Sequence, residues 1–510
     1  MELNIMSRSV AERGTTPTGA RIESVSAAEN PIIAGMYPDP TICRAGEYYY
    51  LATSSFEYFP GAPIFRSKDL TNWSQIGHIL TRRSQFSVGD RGPSKGIYGS
   101  TLRHHDGRFW FVTTNANDYE AGQLLVSAAD PSGPWSEPVM IPNAIGIDPD
   151  IAWDGETCYL TWKRLSFTDG DLELVQAVVD LESGEIGPTY QVWQGTGMTA
   201  AEGPHLYRVG GYWYLMLAEG GTERGHTVTV ARSQHPYGPF EACPQNPILT
   251  HRSLGHSVQN AGHADLVQTH DGGWAAVYLG VRARGSIPGF HVLGRETFLS
   301  GISWVDGWPV FDEHRYHLVP DDHGFVDDFT AGRLDLRWVV PGGQPTDAVA
   351  LSADLGLSFT SSWRSGADLL CARVRDLRWE SEALVEGDVA HVLRLDDRHW
   401  YGVVIRDGIA RAEMRIGDLS QSIGSVEVDG GAIIRIEAVS PATLNVPLGH
   451  AGPDDIILSV EVGSIHHELA RLDGRYLSSE VASGFTGRVL GFGSPSGHGV
   501  VRSVRYKPAG

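Results

Sequence analysis

Three acidic residues occupy the same place in a repeated pattern, each directly before the first strand of a predicted β-hairpin. Asp39 and Asp148 lie seven residues before a turn glycine, and Glu202 lies nine before one. Carboxyl groups brought close together push one pKa upward, so the group contains both an acid and a base near neutral pH. Such a pair can hydrolyse a glycosidic bond, whereas a single Asp-Pro more often starts a turn or binds a structural cation.

The hairpins that position these acids recur five times, each with a short apolar strand, a glycine turn and an aromatic-rich strand. The stretches are DPTICRAGEYYYLATSS, STLRHHDGRFWFVTTN, DPDIAWDGETCYLTWKR, EGPHLYRVGGYWYLMLAEG and HADLVQTHDGGWAAVYLG. Their turn glycines are Gly46, Gly107, Gly155, Gly211 and Gly272. A spacing of about 48 to 61 residues is typical of a four-stranded propeller blade.

The sequence therefore predicts an all-β chain, a five-bladed β-propeller followed by a C-terminal jelly-roll β-sandwich. We expect a flexible N-terminal tail over 1–28, the propeller over 29–317, a linker over 318–324 and the sandwich over 325–510. A two-sheet sandwich is the alternative for the first half, but the regular hairpins favour the propeller.

The innermost strand of every propeller blade lines the central axis, so equivalent positions on five blades converge at one mouth of the channel. Here that position is filled by Asp39, Ser100, Asp148, Glu202 and His263. The hairpin register thus predicts three acids in one small pocket.

Composition limits the partners and the compartment. The net charge of −21 argues against nucleic acid and anionic membranes as partners. The sequence contains no run of 18 apolar residues, so it predicts no membrane-spanning helix. Four separated cysteines without CxxC spacing indicate buried thiols in a reducing compartment. Residues 1–28 contain no signal-peptide pattern, so a cytoplasmic location is expected, and a homo-oligomer remains open.

Three motifs resemble the catalytic signatures of glycoside hydrolase family 43: YPDP at 37–40, GIDP at 146–149 and EGPH at 202–205. The likeness continues through TSSFEYFPGAPIFRSKDLTNW, GIYGSTLRHHDG and LGRETFL. The C-terminal half resembles the sandwich appended to two-domain β-xylosidases and α-L-arabinofuranosidases, so nearly the whole chain is covered.

The resemblance implies that Asp39 is the general base, Glu202 the general acid, and Asp148 the residue that raises the pKa of the acid and orients it. It also implies an exo-acting, inverting glycosidase of xylan degradation. The expected reaction releases a terminal β-D-xylose, α-L-arabinofuranose or both from xylo- or arabino-oligosaccharides, and no cofactor is required.

The resemblance also assigns the sugar pocket. Arg295 matches an arginine that contacts sugar hydroxyls, although a surface salt bridge to Glu296 is an alternative. Phe56 and Tyr98 match aromatics that wall the pocket, but such residues are also common in a simple core. Phe485 matches a loop tip that reaches from the sandwich over the active site.

Three further positions are ambiguous. His263 matches a histidine that contacts calcium or its water in some members, but a lone histidine is more often a hydrogen-bonded core residue. Gly99-Ser100 replaces the usual Ala-Pro, and Asp150 replaces a small residue. We expect Asp150 either to alter the sugar preference or to face away.

Two other functions are open. One is a carbohydrate-binding propeller without catalysis, against which the intact Asp39 and Glu202 argue. The other is a propeller hydrolase that acts on different glycans, such as arabinan interiors or fructans. Nitrophenyl pentosides combined with product anomer analysis separate these alternatives from the expected reaction.

Overall fold

The computed structural model describes residues 25–26, 29–86, 92–165, 173–354, 356–363, 368–441 and 451–509. Within these ranges the regular secondary structure is almost entirely β-strand. The α-helices described are the single turns α1 (Pro345–Ala348) and α2 (Ser479–Ala482). Neither helix has the length or apolar character needed to cross a membrane.

Five four-stranded antiparallel sheets form the blades of the first domain. Its strands are β1 (Val25–Ser26), β2 (Thr41–Ala45), β3 (Tyr48–Ala52), β4 (Tyr58–Phe59), β5 (Gly61–Ser67), β6 (Ser74–Leu80), β7 (Ile97–His105), β8 (Arg108–Asn115), β9 (Gln123–Ala128), β10 (Val139–Ile141), β11 (Gly146–Asp154), β12 (Thr157–Arg164), β13 (Leu174–Val178), β14 (Tyr190–Gln191), β15 (Glu202–Val209), β16 (Tyr212–Glu219), β17 (Thr227–Ser233), β18 (Glu241–Ala242), β19 (Val258–Gln268), β20 (Trp274–Arg282), β21 (Glu296–Val305), β22 (Trp308–Asp312) and β23 (His317–Leu318). The blades are β2-β3-β5-β6, β7 to β10, β11 to β14, β15 to β18 and β19 to β22.

The first strands of the blades surround the axis. Strands β2, β7, β11, β15 and β19 each contact the corresponding strand of the next blade, and β19 closes the ring against β2. Apolar side chains fill the space between neighbouring blades, as where Ile64 of the first blade and Phe111 of the second share one buried cluster. The five-bladed prediction is confirmed.

The second domain is a sandwich of two antiparallel sheets. Its strands are β24 (Phe325–Asp327), β25 (Val340–Pro341), β26 (Val349–Ser352), β27 (Gly356–Phe359), β28 (Leu370–Arg373), β29 (Trp379–Gly387), β30 (Ala390–Asp396), β31 (His399–Arg406), β32 (Ile409–Ile416), β33 (Leu419–Glu427), β34 (Ala432–Val439), β35 (Asp455–Val462), β36 (Ile465–Asp473), β37 (Val489–Gly493) and β38 (Gly499–Pro508). One sheet has the order β26-β27-β38-β29-β34-β35-β36, with β24 also paired to β38, and the other β28-β37-β30-β31-β32-β33. The predicted sandwich is confirmed.

The domain limits differ slightly from the predicted ones. Val25–Ser26 lies within the predicted flexible tail, yet it pairs with β23. Leu318 of β23 lies within the predicted linker. This pairing gives partners to backbone groups at both ends of the propeller sequence. Residues 1–24 lie outside the described part of the chain.

The two domains are joined by backbone pairing and by a shared apolar cluster. Strand β4 of the propeller pairs with β25 of the sandwich. Met36, Phe56 and Tyr58 pack with Leu369 and Val489 in one buried cluster that spans both domains. Because one core crosses the boundary, the sandwich is fixed beside the channel mouth.

Candidate active site

Irregular backbone at the start of the inner strands directs the ring residues into the channel. Asp39, Asp148 and His263 have left-handed φ angles of 52°, 52° and 46°. The pairing register shifts beside Asp148, Glu202 and His263, which marks β-bulges in three blades. β-Bulges often change the direction of side chains next to functional sites. Here they direct the side chains at the strand starts toward the channel mouth.

Two glycines leave room for this arrangement. A Cβ on Gly99 would lie 2.4 Å from Oδ1 of Asp148 and 2.9 Å from Cε1 of His263. A Cβ on Gly203 would lie 2.8 Å from the imidazole of His263. The departure at Gly99 therefore has a steric reason, because even alanine would press on the carboxylate and the imidazole.

Asp39, Asp148, Glu202, His263 and Arg295 form a group at the channel mouth that we call the upper ring. Arg295 holds Asp39 with both terminal nitrogens, Nη1 to Oδ1 at 2.8 Å and Nη2 to Oδ2 at 3.3 Å. Nδ1 of His263 lies 3.2 Å from Oδ1 of Asp39. The backbone N–H next to Glu202, that of Gly203, donates to Oδ2 of Asp148 at 3.2 Å.

The two cations of the upper ring both attach to Asp39, which separates the protonation states of the three acids. Burial opposes ionisation of Asp39, but Arg295 and His263 outweigh it and hold the pKa of Asp39 well below its usual range. Burial raises the pKa of Asp148, and the Asp39 charge adds to this effect. Burial, reinforced by the Asp148 charge, raises the pKa of Glu202 to about 7. One acid is thus ionised while another retains a proton near neutral pH.

Further along the inner strands β7, β11, β15 and β19 lies a second group, Arg103, Asp150, His205, Tyr207 and Asp265, which we call the lower ring. Arg103 donates from Nη2 to Asp150 at 2.9 Å and from Nη1 to Asp265 at 2.8 Å. The Tyr207 hydroxyl donates to Asp265 at 2.5 Å, and Nδ1 of His205 lies 3.1 Å from Asp150. Asp150 therefore faces the channel but pairs inside this ring.

The residues around His263 do not fit a calcium ion. Calcium takes six to eight oxygen ligands, whereas the carboxylate paired with His263 is that of Asp39, which Arg295 already holds, and Asp148 and Glu202 act on His263 through their charges. The carboxylates deeper in the channel are neutralised by Arg103. The carboxylates in the channel therefore pair with arginine side chains rather than forming a calcium site. We assign no step of the reaction to a metal.

The predicted aromatic residues meet at the channel mouth although they come from distant segments. A backbone bridge between Phe56 and Ile97 places the neighbouring Tyr98 ring 5.5 Å from that of Phe56. Phe485 of the sandwich stacks on Phe56 at 5.9 Å and meets Tyr98 edge-on at 6.0 Å. The Arg295 guanidinium lies 5.5 Å from the Phe56 ring and 5.4 Å from the Phe485 ring.

The alternative for Arg295 is wrong. Glu296 pairs with Arg282 at 2.7 Å, so its carboxylate is engaged elsewhere, and Arg295 is buried against Asp39. Ser100, the remaining ring position, is buried, and its hydroxyl has no hydrogen-bond partner among the described residues. A small residue is thus present where three other blades supply acids.

Three residues near the site were missed at the sequence level. Thr222 accepts a hydrogen bond from Arg295 at 3.1 Å. Lys163 is buried near Glu202 and Asp148, and its pKa is lowered by burial. His226 is buried, and burial lowers its pKa to about 4. The signal that could have found Lys163 is its place at the end of β12, opposite Ile147 of the GIDP motif.

These contacts support acid–base chemistry on a neutral substrate. The ionised carboxylate of buried Asp39 and the protonated carboxyl group of half-buried Glu202 share a pocket, and an arginine and three aromatic rings border it. Aromatic faces pack on the apolar faces of sugar rings, and guanidinium donors suit hydroxyl and carboxylate oxygens. The individual roles of these residues stay predictions.

Comparison with known proteins agrees with this reading of the site. The family model described as Glycosyl hydrolases family 43 matches residues 28–309. A xylosidase/arabinosidase from Butyrivibrio fibrisolvens is 46% identical over 296 residues, which cover 56% of this chain and only 56% of that relative. A non-reducing end alpha-L-arabinofuranosidase from Bacteroides ovatus is 34% identical over 91% of this chain and 90% of its own length.

Two solved structures match over both domains. The structure described as Bacteroides ovatus xyloglucan PUL GH43B has a TM-score of 0.83 at 31% identity and covers 95% of this chain and 98% of that one. A xylan beta-1,4-xylosidase from Bacillus halodurans has a TM-score of 0.84 at 26% identity, with coverages of 94% and 99%. The likeness therefore includes the sandwich as well as the propeller.

Proposed function

The chain belongs to glycoside hydrolase family 43, and on that premise we propose that it removes a terminal pentose from xylo- or arabino-oligosaccharides. The pentose is β-D-xylose, α-L-arabinofuranose or both, as in the names of its relatives. The enzyme acts from the chain end with inversion at the anomeric carbon. A net charge of −21 supports a neutral glycan rather than nucleic acid or an anionic membrane as its partner.

The observation that carries this proposal is the division of protonation states in the upper ring. Arg295 and His263 keep Asp39 ionised, while burial and Asp148 raise the pKa of Glu202 to about 7. A general acid must hold its proton at working pH, and a general base must have lost it. The two functions therefore fall on different carboxyl groups.

The reaction follows from these states. Asp39 accepts a proton from a water molecule while the water oxygen forms a bond to the anomeric carbon from the face opposite the leaving group. The bond between the anomeric carbon and the glycosidic oxygen breaks, and Glu202 donates its proton to that oxygen. Asp39 gains one proton and Glu202 loses one, so the enzyme carries the same number of protons after the reaction as before it. After product release, proton exchange with water returns both groups to their starting states.

The other members of the site orient these groups. Asp148 accepts the N–H of Gly203 and so fixes the backbone that carries Glu202, while its charge disfavours early ionisation of that acid. Phe485 reaches the pocket from the sandwich and stacks on Phe56. A pocket bordered by both domains supports cleavage at a chain end, because the sandwich bounds one side of the channel mouth through Phe485.

A direct experiment compares kcat/KM on 4-nitrophenyl β-D-xyloside and 4-nitrophenyl α-L-arabinofuranoside and follows the first-formed sugar anomer by NMR. We expect hydrolysis of at least one substrate and an inverted anomer. Asp39→Asn should remove most turnover, whereas the matched control Asp154→Asn, on the exposed end of β11, should keep it. Retained configuration, or a fully active Asp39→Asn enzyme, would contradict the mechanism.

We also propose a cytoplasmic site of action on imported oligosaccharides. Support comes from the four cysteines, all buried and free of disulfide bonds in the described structure. Fractionation of the producing cells, with the aryl pentosidase activity as readout, tests this location.

A further inference from the structure

A cavity of about 230 Å³ lies between the propeller and the sandwich and does not include the upper ring. The propeller contributes Tyr37 and Gln75 to its walls, and the sandwich contributes Arg337, Arg373 and Arg375. A water molecule takes about 30 Å³ in the liquid, so the cavity has room for a small polyatomic ion with several waters.

Arg373, at the end of β28, is the unusual member of this cavity. Its side chain is only 5% exposed, yet none of its three guanidinium nitrogens has a hydrogen-bond partner among the described residues. Its contacts are with ring faces, those of Tyr37 at 4.7 Å and Tyr58 at 5.8 Å. A buried charged donor without acceptors is costly, and ring faces satisfy its charge but not its N–H groups.

The surrounding charges leave this cation uncompensated. Arg337 is paired with Asp335, the one carboxylate on the cavity wall, at 2.8 Å. Arg375 donates from Nε to the carbonyl of Ala34 at 3.2 Å. His78, buried close to Arg373, offers no negative charge either. The cavity wall therefore contains two guanidinium groups beyond the Arg337–Asp335 pair.

Asp376, three residues after Arg373 in the sequence, is already engaged. Asp376 accepts a hydrogen bond from the Tyr506 hydroxyl at 2.9 Å and lies 2.9 Å from Nδ1 of His323. Gln75, in contrast, presents an amide at the same cavity, where its Nε2 donates to backbone carbonyls. Gln75 is neutral, so it adds no negative charge to the cavity.

We propose that this interdomain cavity is a binding site for a small oxyanion, held chiefly by the fork of Arg373 with help from Arg375. Guanidinium forks match the paired oxygens of phosphate, sulfate and carboxylate groups. Because Arg373 belongs to the sandwich and contacts Tyr37 of the propeller, the bound oxyanion stabilises the domain interface. The site is separate from the glycosidase chemistry and does not depend on it.

The test measures thermal unfolding and isothermal titration of the full chain at constant ionic strength. The added probes are inorganic phosphate, sulfate and glucuronate, with chloride as the reference. We expect phosphate at about one hundred times its Kd to raise Tm by several degrees, since a ligand that binds only the folded state stabilises it by mass action. A larger effect of glucuronate than of phosphate would identify the natural oxyanion as a carboxylate.

Arg373→Met distinguishes an oxyanion site from a purely structural cation. In chloride this variant should be as stable as the wild type or more so, because an unsatisfied buried charge is removed. In phosphate the wild type should become the more stable protein, so the order of the two Tm values reverses. Arg373→Lys should bind phosphate at least tenfold more weakly, and Arg502→Gln, which alters an exposed pair with Glu386, should behave as wild type.

Two results would overturn the proposal. One is the absence of any difference between phosphate, sulfate, glucuronate and chloride for the wild type. The other is an equal loss of Tm for Arg373→Met in all buffers, which would show that the ring faces of Tyr37 and Tyr58 alone account for the arginine. If Arg373→Met fails to fold, the titration of Arg373→Lys against the wild type decides the question.

Discussion

The lower ring lies further along the inner strands than the acids of the upper ring, and both rings contain buried carboxylates. In the lower ring Arg103 lies between Asp150 and Asp265, and each acid has further donors. In the upper ring both cations attach to Asp39 and leave Asp148 and Glu202 close to each other. Under the proposed function, the same residue type is therefore structural in one ring and chemically active in the other.

The difference lies in how charge is distributed rather than in how deeply the acids are buried. Arg103 outweighs burial and holds the pKa of Asp265 well below its usual range. At Glu202, burial and the Asp148 charge outweigh the effect of His263 and Arg295 and raise the pKa to about 7. Two acids that raise each other's pKa titrate as a coupled pair, and such pairs are typical of functional sites. Acids whose charge is neutralised by a neighbouring arginine are typical of structural ion pairs.

The largest expected effect is that of Glu202→Gln. Loss of the proton donor should lower kcat about 10²- to 10⁴-fold on xylobiose or an arabino-oligosaccharide, whose leaving groups need protonation. On an aryl glycoside with a good leaving group the loss should be much smaller. Steady-state kinetics on both substrate types measure the difference.

Circular dichroism of Glu202→Gln provides the folding control. An equal loss on natural and aryl substrates would contradict the role of general acid. Wild-type rates on xylobiose would remove Glu202 from the mechanism altogether.

The lower ring should respond in stability rather than in chemistry. Arg103→Met leaves two buried carboxylates without their shared cation, and we expect a loss of about 3–5 kcal/mol in the free energy of unfolding. Because Arg103 lowers the pKa of Asp265, its stabilisation is present above the ordinary aspartate pKa and fades as pH falls. The deficit of Arg103→Met should therefore stay constant from pH 7 down to about pH 5 and shrink as pH falls below about 4 in urea titrations.

Arg208→Met is the matched control for Arg103→Met. Arg208 forms an exposed pair with Asp154, so its loss should cost about 0–1 kcal/mol. If Arg103→Met were as stable as Arg208→Met, the lower ring would not be the structural counterpart described above.

Asp148→Asn tests the electrostatic link inside the upper ring. Activity of the wild type should fall as pH rises through about 7, because Glu202 then loses the proton it must donate. Removing the Asp148 charge lowers the pKa of Glu202, so the alkaline limb of kcat/KM moves to lower pH. At pH 7.5 we expect a loss of about tenfold from this effect.

The pH profile separates this role from simple structural damage, which would lower kcat/KM without moving the limb. Asp154→Asn, at the outer end of the same strand, should leave the limb where it is. A limb that stays in place in Asp148→Asn would show that burial alone sets the pKa of Glu202.

The repeated hairpin explains why so much of the upper ring could be predicted from the sequence. Each blade starts with the same register, so Asp39, Asp148, Glu202 and His263 could be aligned by counting from the turn glycines. The same count extended by two residues points to Asp150 and Asp265, which is a signal for the lower ring.

Other features depend on contacts that periodicity does not encode. Nothing in the strand pattern indicates that Arg103 reaches across the axis to two other blades. The bulge beside Asp148 could equally have turned Asp150 away, so the count alone does not establish that both side chains face the channel. The position of Phe485 came from family resemblance, since it contacts a residue 391 positions away.

The smallest expected effect concerns the hydrogen bond that holds Phe485 of the sandwich over the upper ring. The lower ring is enclosed by the blades themselves, whereas the upper ring needs Phe485 from the other domain. The Phe485 N–H donates to Oγ of Ser94 at 2.8 Å, and the Ser94 N–H donates to Glu57 at 3.0 Å. Ser94→Ala removes one neutral hydrogen bond, worth about 1 kcal/mol, so kcat/KM should fall about fivefold.

This loss should appear mainly in KM, because Ser94 fixes the wall of the sugar pocket and touches neither Asp39 nor Glu202 in any described contact. Phe485→Ala should exceed it, since the ring itself is lost, and the exposed Ser420→Ala should have no effect. Unchanged kinetics in both Ser94→Ala and Phe485→Ala would mean that the propeller closes its own pocket. The sandwich would then have no part in restricting cleavage to chain ends.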